Sequence, residues 1–227
     1  MSSPGSWDAA WRAGIHAARQ NIAAGAAVWA FGGAVVVTYY TWPPAHAAWD
    51  HLAVWREHLG FLYSIVATCL FGGVLPMLFQ TLVPAARGRM TTGAWVFGAA
   101  FWAYRGFEVD LFYHFQAWLF GAGTDAASVA RKVCFDALIY SPIWAVPVTA
   151  YTYIWKESGF QIERMRGMWG WHGYRVYVLP ALVSNWIVWI PAVSLIYSLP
   201  SPLQVPLFNL VLFLFVLILT VLTRRKE

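Results

Sequence analysis

Charge is what this sequence has least of. Only 11% of its 227 residues are Asp, Glu, Lys or Arg, against about 25% in a soluble domain. That is too little to solvate the surface of a globular chain of this length. Cysteine is nearly missing as well. Cys69 and Cys134 both lie in apolar runs, and two such residues supply no disulfide framework, no CxxC and no metal-ligand spacing, so they read as packing residues. No basic cluster is interleaved with aromatics, so the net charge of +5 does not describe a nucleic-acid groove. Internal repeats and low-complexity tracts are absent, and with them the inverted-repeat signature of many transporters. No nucleophile motif is present, so neither a cofactor nor an enzymatic activity is expected.

What the chain does have is apolar length. Hydrophobic residues make up 60% of it, and fifteen Trp and eleven Tyr suit a protein with two wet interfaces, where amphipathic rings settle at headgroup depth. A helix needs about 20 apolar residues to cross the hydrocarbon core. Six stretches qualify, at about 21–41, 59–83, 93–119, 133–154, 176–198 and 203–223. The expected fold is therefore an all-α polytopic transmembrane bundle of about six spans. Ala45-His46-Ala47, after the first apolar run, has the look of a cleavage site. The long preceding region with Asp8 and its own helical pattern favours an uncleaved first span.

Basic residues test that count. Eleven of the fifteen fall on one side: Arg12, Arg19, Arg87, Arg89, Lys156, Arg164, Arg166, Arg175, Arg224, Arg225 and Lys226. The other side receives Arg56, Arg131 and Lys132, and Arg105 lies inside a span. This asymmetry places both termini in the cytoplasm or its topological equivalent. Residues 1–20 carry Trp7, Trp11, Ile15 and Ala18 at helical spacing beside Arg12, His16 and Arg19, with Ser6 as N-cap. They read as an amphipathic helix lying in the interface. Residues 21–57 add a first span and a loop, and the connector at 156–174, rich in charge and tryptophan, either lies on the membrane or forms an ordinary loop.

Ionisable groups at bilayer depth cost several kcal/mol unless paired or wet. The third span holds four of them. Arg105 and Glu108 share one helical face, while Asp110 and His114, four apart, lie on nearly the opposite face. Both faces are satisfied only if this helix is surrounded by protein or borders water. His114 alone makes no metal site, because no second His or Cys sits at ligand spacing on the same helix. Lys132 and Asp136 form a second candidate pair near the start of the fourth span. Asn185, Gln204 and Asn209 are suited to hydrogen bonds between helices. Pro76, Pro142, Pro147, Pro180 and Pro191 interrupt the spans and free carbonyls that need new partners. Gly32-Gly33, Gly72-Gly73, Gly93 and Gly98 offer small faces for close helix contact.

Several patches occur together in order. His58-Leu59 opens a span ending in Gln80; Gly106 precedes Phe112-Tyr113; Lys132, Asp136 and Pro142 follow; and Tyr177, Pro180, Asn185-Trp186 and Pro191 close the series. By these patches residues 58–227 resemble the Mpv/peroxisomal-membrane-protein family. Ala137 and Leu179 stand where that family has Gln and Trp, Asn185 is displaced by one position, and the Arg after the final Pro is missing. The resemblance implies a small helical membrane protein, for some members of which passage of small solutes has been proposed. Two functions are carried forward: a channel-like or transporter-like pathway for small polar solutes or ions, and a non-transporting scaffold or sensor whose charged helix is structural. The lipid bilayer is the expected partner, nucleic acid is not, and a homo-oligomer is left open.

Overall fold

The computed structural model describes residues 6–82 and 91–224, and all regular structure among them is helical. In chain order the helices are α1 Trp7–Thr41, α2 Pro43–Leu59, α3 Phe61–Leu82, α4 Thr92–Phe120, α5 Ala126–Glu157, α6 Ile162–Met165, α7 Gly170–Tyr197 and α8 Ser201–Arg224. Among the described residues five of them, α1, α3, α5, α7 and α8, are long and apolar enough to cross a bilayer. The chain is an all-α, multi-pass integral membrane protein. The third expected span is α4, which has the length at 29 residues but carries Arg105, Glu108 and Asp110 and is not among the five. Arg87, Arg89, Arg225 and Lys226 lie outside the described residues.

Two expectations change at the N-terminal end. The amphipathic segment and the first span are one uninterrupted helix of 35 residues, about 52 Å long against a hydrocarbon core of about 30 Å. Ser6 does cap it, accepting from the Ala9 N–H at 3.2 Å. The stretch after it, expected to be a loop, is the 17-residue helix α2. Trp42 is extended and Pro43 occupies the first helical position, where a fixed φ and a missing N–H do no harm. Gly60, at φ 53°, ends α2 and turns the chain directly into α3. A left-handed residue is needed there, and glycine takes it without steric cost.

The helices gather into two compact units. The first contains residues 6–26 with Ala130–Pro191, the second Ala27–Val129 with 192–224. In the first, Ala10, Val146, Val178, Leu179, Leu182 and Val183 form the core. Gly14 lies against Val183, where an added Cβ would sit 2.6 Å from the valine Cβ. In the second unit α3 and α4 pack along much of their length. Trp102 of α4 lies across Gly72 and Gly73, and Met77 fits against Gly98. Those three glycines, and Gly32 with an added Cβ 3.3 Å from Leu195 Cδ1, are small faces the spacing predicts; nothing packs within 4 Å of a Cβ at Gly33. Cys69 is partly buried and Cys134 exposed, so the packing reading fits the first thiol better than the second.

The prolines have a visible effect. α3, α5 and α7 each contain a π-helical stretch, Cys69–Val74, Asp136–Ala145 and Tyr174–Val178, and each ends just before or encloses a proline. Widening a turn by one residue moves the ring away from the carbonyl it would strike. The freed carbonyls are covered within the first unit. In an i to i−5 register, as in the Val146 N–H bond to the Ser141 oxygen, Pro142 and Pro147 leave the carbonyls of Ala137 and Pro142 without donors. The Trp186 indole donates to Ala137 O at 2.7 Å, and the Tyr174 hydroxyl to Pro142 O at 3.0 Å. Pro191 and Pro206 sit in regular α-helix.

Candidate functional site

The Gly60 turn places the last turn of α2 beside the first turn of α3, and α4 completes the site. At its centre is Asp110, with no exposed surface. Arg56 of α2 forms an ion pair with Asp110 Oδ1, and the Ser64 hydroxyl of α3 donates to Oδ2 at 2.6 Å. The side chain of Arg56 is itself only 9% exposed. Stripping water from two charges costs several kcal/mol per ion, and a close, hydrogen-bonded partner offsets that cost. Three helices therefore contribute to one closed group.

His114 lies one turn further along α4. Its Nδ1 donates to the Asp110 carbonyl oxygen at 2.8 Å and stands 3.1 Å from Oδ1. The rest of the ring is half exposed, at 52%, with Phe61 beside it. The expected Asp110–His114 pairing is present, but the main charge partner of Asp110 is Arg56. The other expected pair is also formed: Arg105 and Glu108 bridge each other on α4, with both side chains close to nine-tenths buried.

One turn along α3 from Ser64 is Thr68, whose hydroxyl donates to Asn209 Oδ1 of α8 at 2.8 Å. Ser64, Thr68 and Asn209 are all buried. Gln204, also buried, donates to Leu199 O at 3.0 Å. Three buried donors in this unit lack a partner among the described residues: Arg56 Nε, Asn209 Nδ2 and the Ser201 hydroxyl. Buried polar groups are seldom left unsatisfied in native folds, so each asks for a water or a ligand oxygen.

The remaining candidates belong to the first unit. Lys132 and Asp136 are buried one turn apart on α5, and Ser141 donates to Asp136 Oδ1 at 3.0 Å. Asn185 is half-buried, while its neighbour Ser184 accepts from the Asn21 side chain at 3.1 Å. Thus Asp110, His114 and Asn209 belong to the second unit's polar core, Arg105 and Glu108 to a separate bridge on the same helix, and Lys132, Asp136 and Asn185 to the other unit. Arg56 and Ser64 are not evident from sequence. A loop at the end of 21–57 gives Arg56 no role in the interior; the signal that corrects it is Pro43-Pro44 as a helix start with Gly60 as its stop.

Among the described residues no three His, Cys, Asp or Glu side chains converge as metal ligands. No family model, curated protein or solved structure matches this chain.

Proposed function

We propose that the protein provides a pathway for small polar solutes or ions across its membrane, with the Arg56–Asp110 pair as the contact that closes it. The observation that carries this reading is the composition of the buried cluster. It combines a fully enclosed carboxylate, an arginine from a second helix with one donor still unfilled, and a histidine that touches the carboxylate while its ring remains half exposed. An intramembrane ion pair of this kind is a functional candidate by default. The similarity of residues 58–227 to the Mpv/peroxisomal-membrane-protein family supports the same direction. We place both termini on the cytoplasmic side from the distribution of Arg and Lys. Arg56 is paired in the interior and drops out of the opposite tally, which sharpens the bias.

Reconstituted into liposomes, the protein should release a trapped small polar solute or ion faster than empty vesicles do. Asp110→Asn and Arg56→Gln should change that rate in protein that retains its helical content. Flux equal to that of empty vesicles refutes the pathway. A second reading, a scaffold or sensor with the pair as structural glue, is favoured by the close packing at Gly106, where a Cβ would meet the Ser64 carbonyl and lie 2.8 Å from Thr68 Cβ. Cysteines placed at positions 105, 108, 110 and 114 separate the two: a pathway makes those facing the Asp110 cluster reactive to water-soluble thiol reagents, and a closed interior leaves them inert.

A further inference from the structure

In the first unit, the start of α1, the end of α5, the 156–174 connector and the start of α7 come together at one end. Trp7 packs edge-on against Trp171 at 5.3 Å, Trp171 stacks on Tyr174 at 5.6 Å, and Trp169 stacks on Tyr151 at 4.9 Å. The indoles are held by these contacts yet remain open to the outside: Trp7 is 47% exposed, Trp169 55% and Trp171 61%. Fixed, half-open indoles are suited to headgroup depth, where one edge of the ring is wet and the other apolar.

Charge at this end has one sign in excess. Residues 6–26 and 151–175 contain six Arg or Lys and three Asp or Glu. Arg175 stands over the Trp7 ring with its guanidinium carbon 5.9 Å from the centroid, and its buried Nε has no acceptor among the described residues. Arg164 and Arg166, both exposed, precede Trp169 in the same connector. A guanidinium offers a planar fork of donors that matches phosphate oxygens.

We propose that this end of the first unit binds the phosphate of an anionic phospholipid, with Arg175 and Arg166 supplying the donors and Trp7, Trp169 and Trp171 the surrounding collar. A zwitterionic lipid brings its own cation beside the phosphate and gains little from the surplus of arginine. An anionic headgroup brings none, and each basic side chain near it strengthens binding by about fivefold. The site is independent of the transport reading, since no residue of the Asp110 cluster takes part.

The test is lipid retention by the detergent-extracted full chain, read by native mass spectrometry after reconstitution in phosphatidylcholine mixed with phosphatidylglycerol. The wild type should keep phosphatidylglycerol in preference to phosphatidylcholine. Arg166→Gln should reduce that preference about fivefold, and Arg166→Gln with Arg175→Gln should abolish it. Arg131→Gln, on the first turns of α5, should leave it intact. Because Arg166 is exposed, its single variant still reports if the double variant fails to fold. Equal retention of the two lipids overturns the proposal, as does a preference untouched by Arg166→Gln. Loss of the bound lipid to inorganic phosphate alone overturns it too, by showing a bare phosphate site.

Discussion

Among the described glycines of the second unit, an added Cβ would meet its nearest neighbour at Gly106, where α4 crosses α3, and Gly106→Ala tests whether the Asp110 cluster depends on that crossing. An added Cβ would meet the Ser64 carbonyl oxygen and lie 2.8 Å from Ser64 C and from Thr68 Cβ. Carbon atoms in contact settle at about 3.5–4.0 Å, so the helices must separate by about 1 Å. Such overpacking costs about 1–3 kcal/mol. The same displacement stretches the Ser64–Asp110 hydrogen bond, now 2.6 Å, to a length at which a hydrogen bond is effectively lost. A bond to a charged group is worth about 1.5–3 kcal/mol in soluble proteins and less on average in bilayers. The better helix propensity of alanine returns about 1 kcal/mol. The expected net loss is about 2–4 kcal/mol, measured by unfolding in mixed micelles of dodecyl maltoside and dodecyl sulfate. Gly33→Ala is the matched control, because nothing lies within 4 Å of its added Cβ; it should be neutral or slightly stabilising. If Gly106→Ala unfolds like the wild type, α3 and α4 do not meet as described and the cluster built on their contact is wrong.

Other outcomes follow from the same geometry. Arg56→Gln leaves a buried carboxylate without its cation and should cost about 3–5 kcal/mol, whereas Arg56→Met combined with Asp110→Leu should recover most of that loss. The check is a double-mutant cycle in the same micelles. Trp186→Phe and Tyr174→Phe each leave a proline-freed carbonyl bare, for an expected loss of about 0.5–2 kcal/mol apiece, whereas Trp118→Phe, a highly exposed indole, should change nothing. Asp125 caps α5, accepting from the Ala127 and Ser128 N–H groups at 3.1 Å each. Hydrogen bonds from Ser128, first through its side chain, hold its carboxyl below the usual carboxylate range. Because the folded-state value is depressed, the cap contributes fully above the ordinary Asp range and is lost as pH falls through the lowered value. Thermal unfolding followed from neutral to acid pH should show this loss in the wild type, and Asp125→Ala should remove that share of the acid sensitivity.

Helical spacing and hydropathy carry the spans because a bilayer forces every backbone polar group to be satisfied within its own helix. Apolar length therefore maps onto helix length, as it does for α3, α5, α7 and α8. Two features break the mapping. The hydrophobic run that begins at Ala23 says where lipid contact starts, not where the helix starts, so α1 extends unbroken back to Trp7. Residues 43–59 are too polar to read as a span, yet a helix there needs only Pro43 to begin it and Gly60 to end it. Without that helix Arg56 reads as a loop charge, and Asp110 is matched to the one candidate within reach on its own helix, His114. Pairings inside one helix are legible from spacing, as Arg105–Glu108 is. Pairings between helices depend on crossing points such as Gly106, which periodicity does not encode.

The two units meet the cost of polar groups in an apolar setting by the same rule, with a donor from a different helix or turn supplied to each acceptor that its own helix leaves bare. In the first, prolines strip two carbonyls of their donors and α7 returns a tryptophan and a tyrosine. In the second, α4 carries a carboxylate and α2 and α3 return an arginine and a serine. The difference lies in what is left over. Ala137 O and Pro142 O are each filled by a neutral donor, which ends the matter and favours rigidity. Around Asp110 the arginine keeps an unfilled Nε, and the histidine keeps a ring half outside. A neutral cap has no second state to move to. A carboxylate held by both an arginine and a histidine has one, because it can trade one contact for the other. His114→Gln removes one of those two contacts and, because the ring is half exposed, should lower stability in the mixed micelles by less than Arg56→Gln does; an equal loss would refute the unequal sharing.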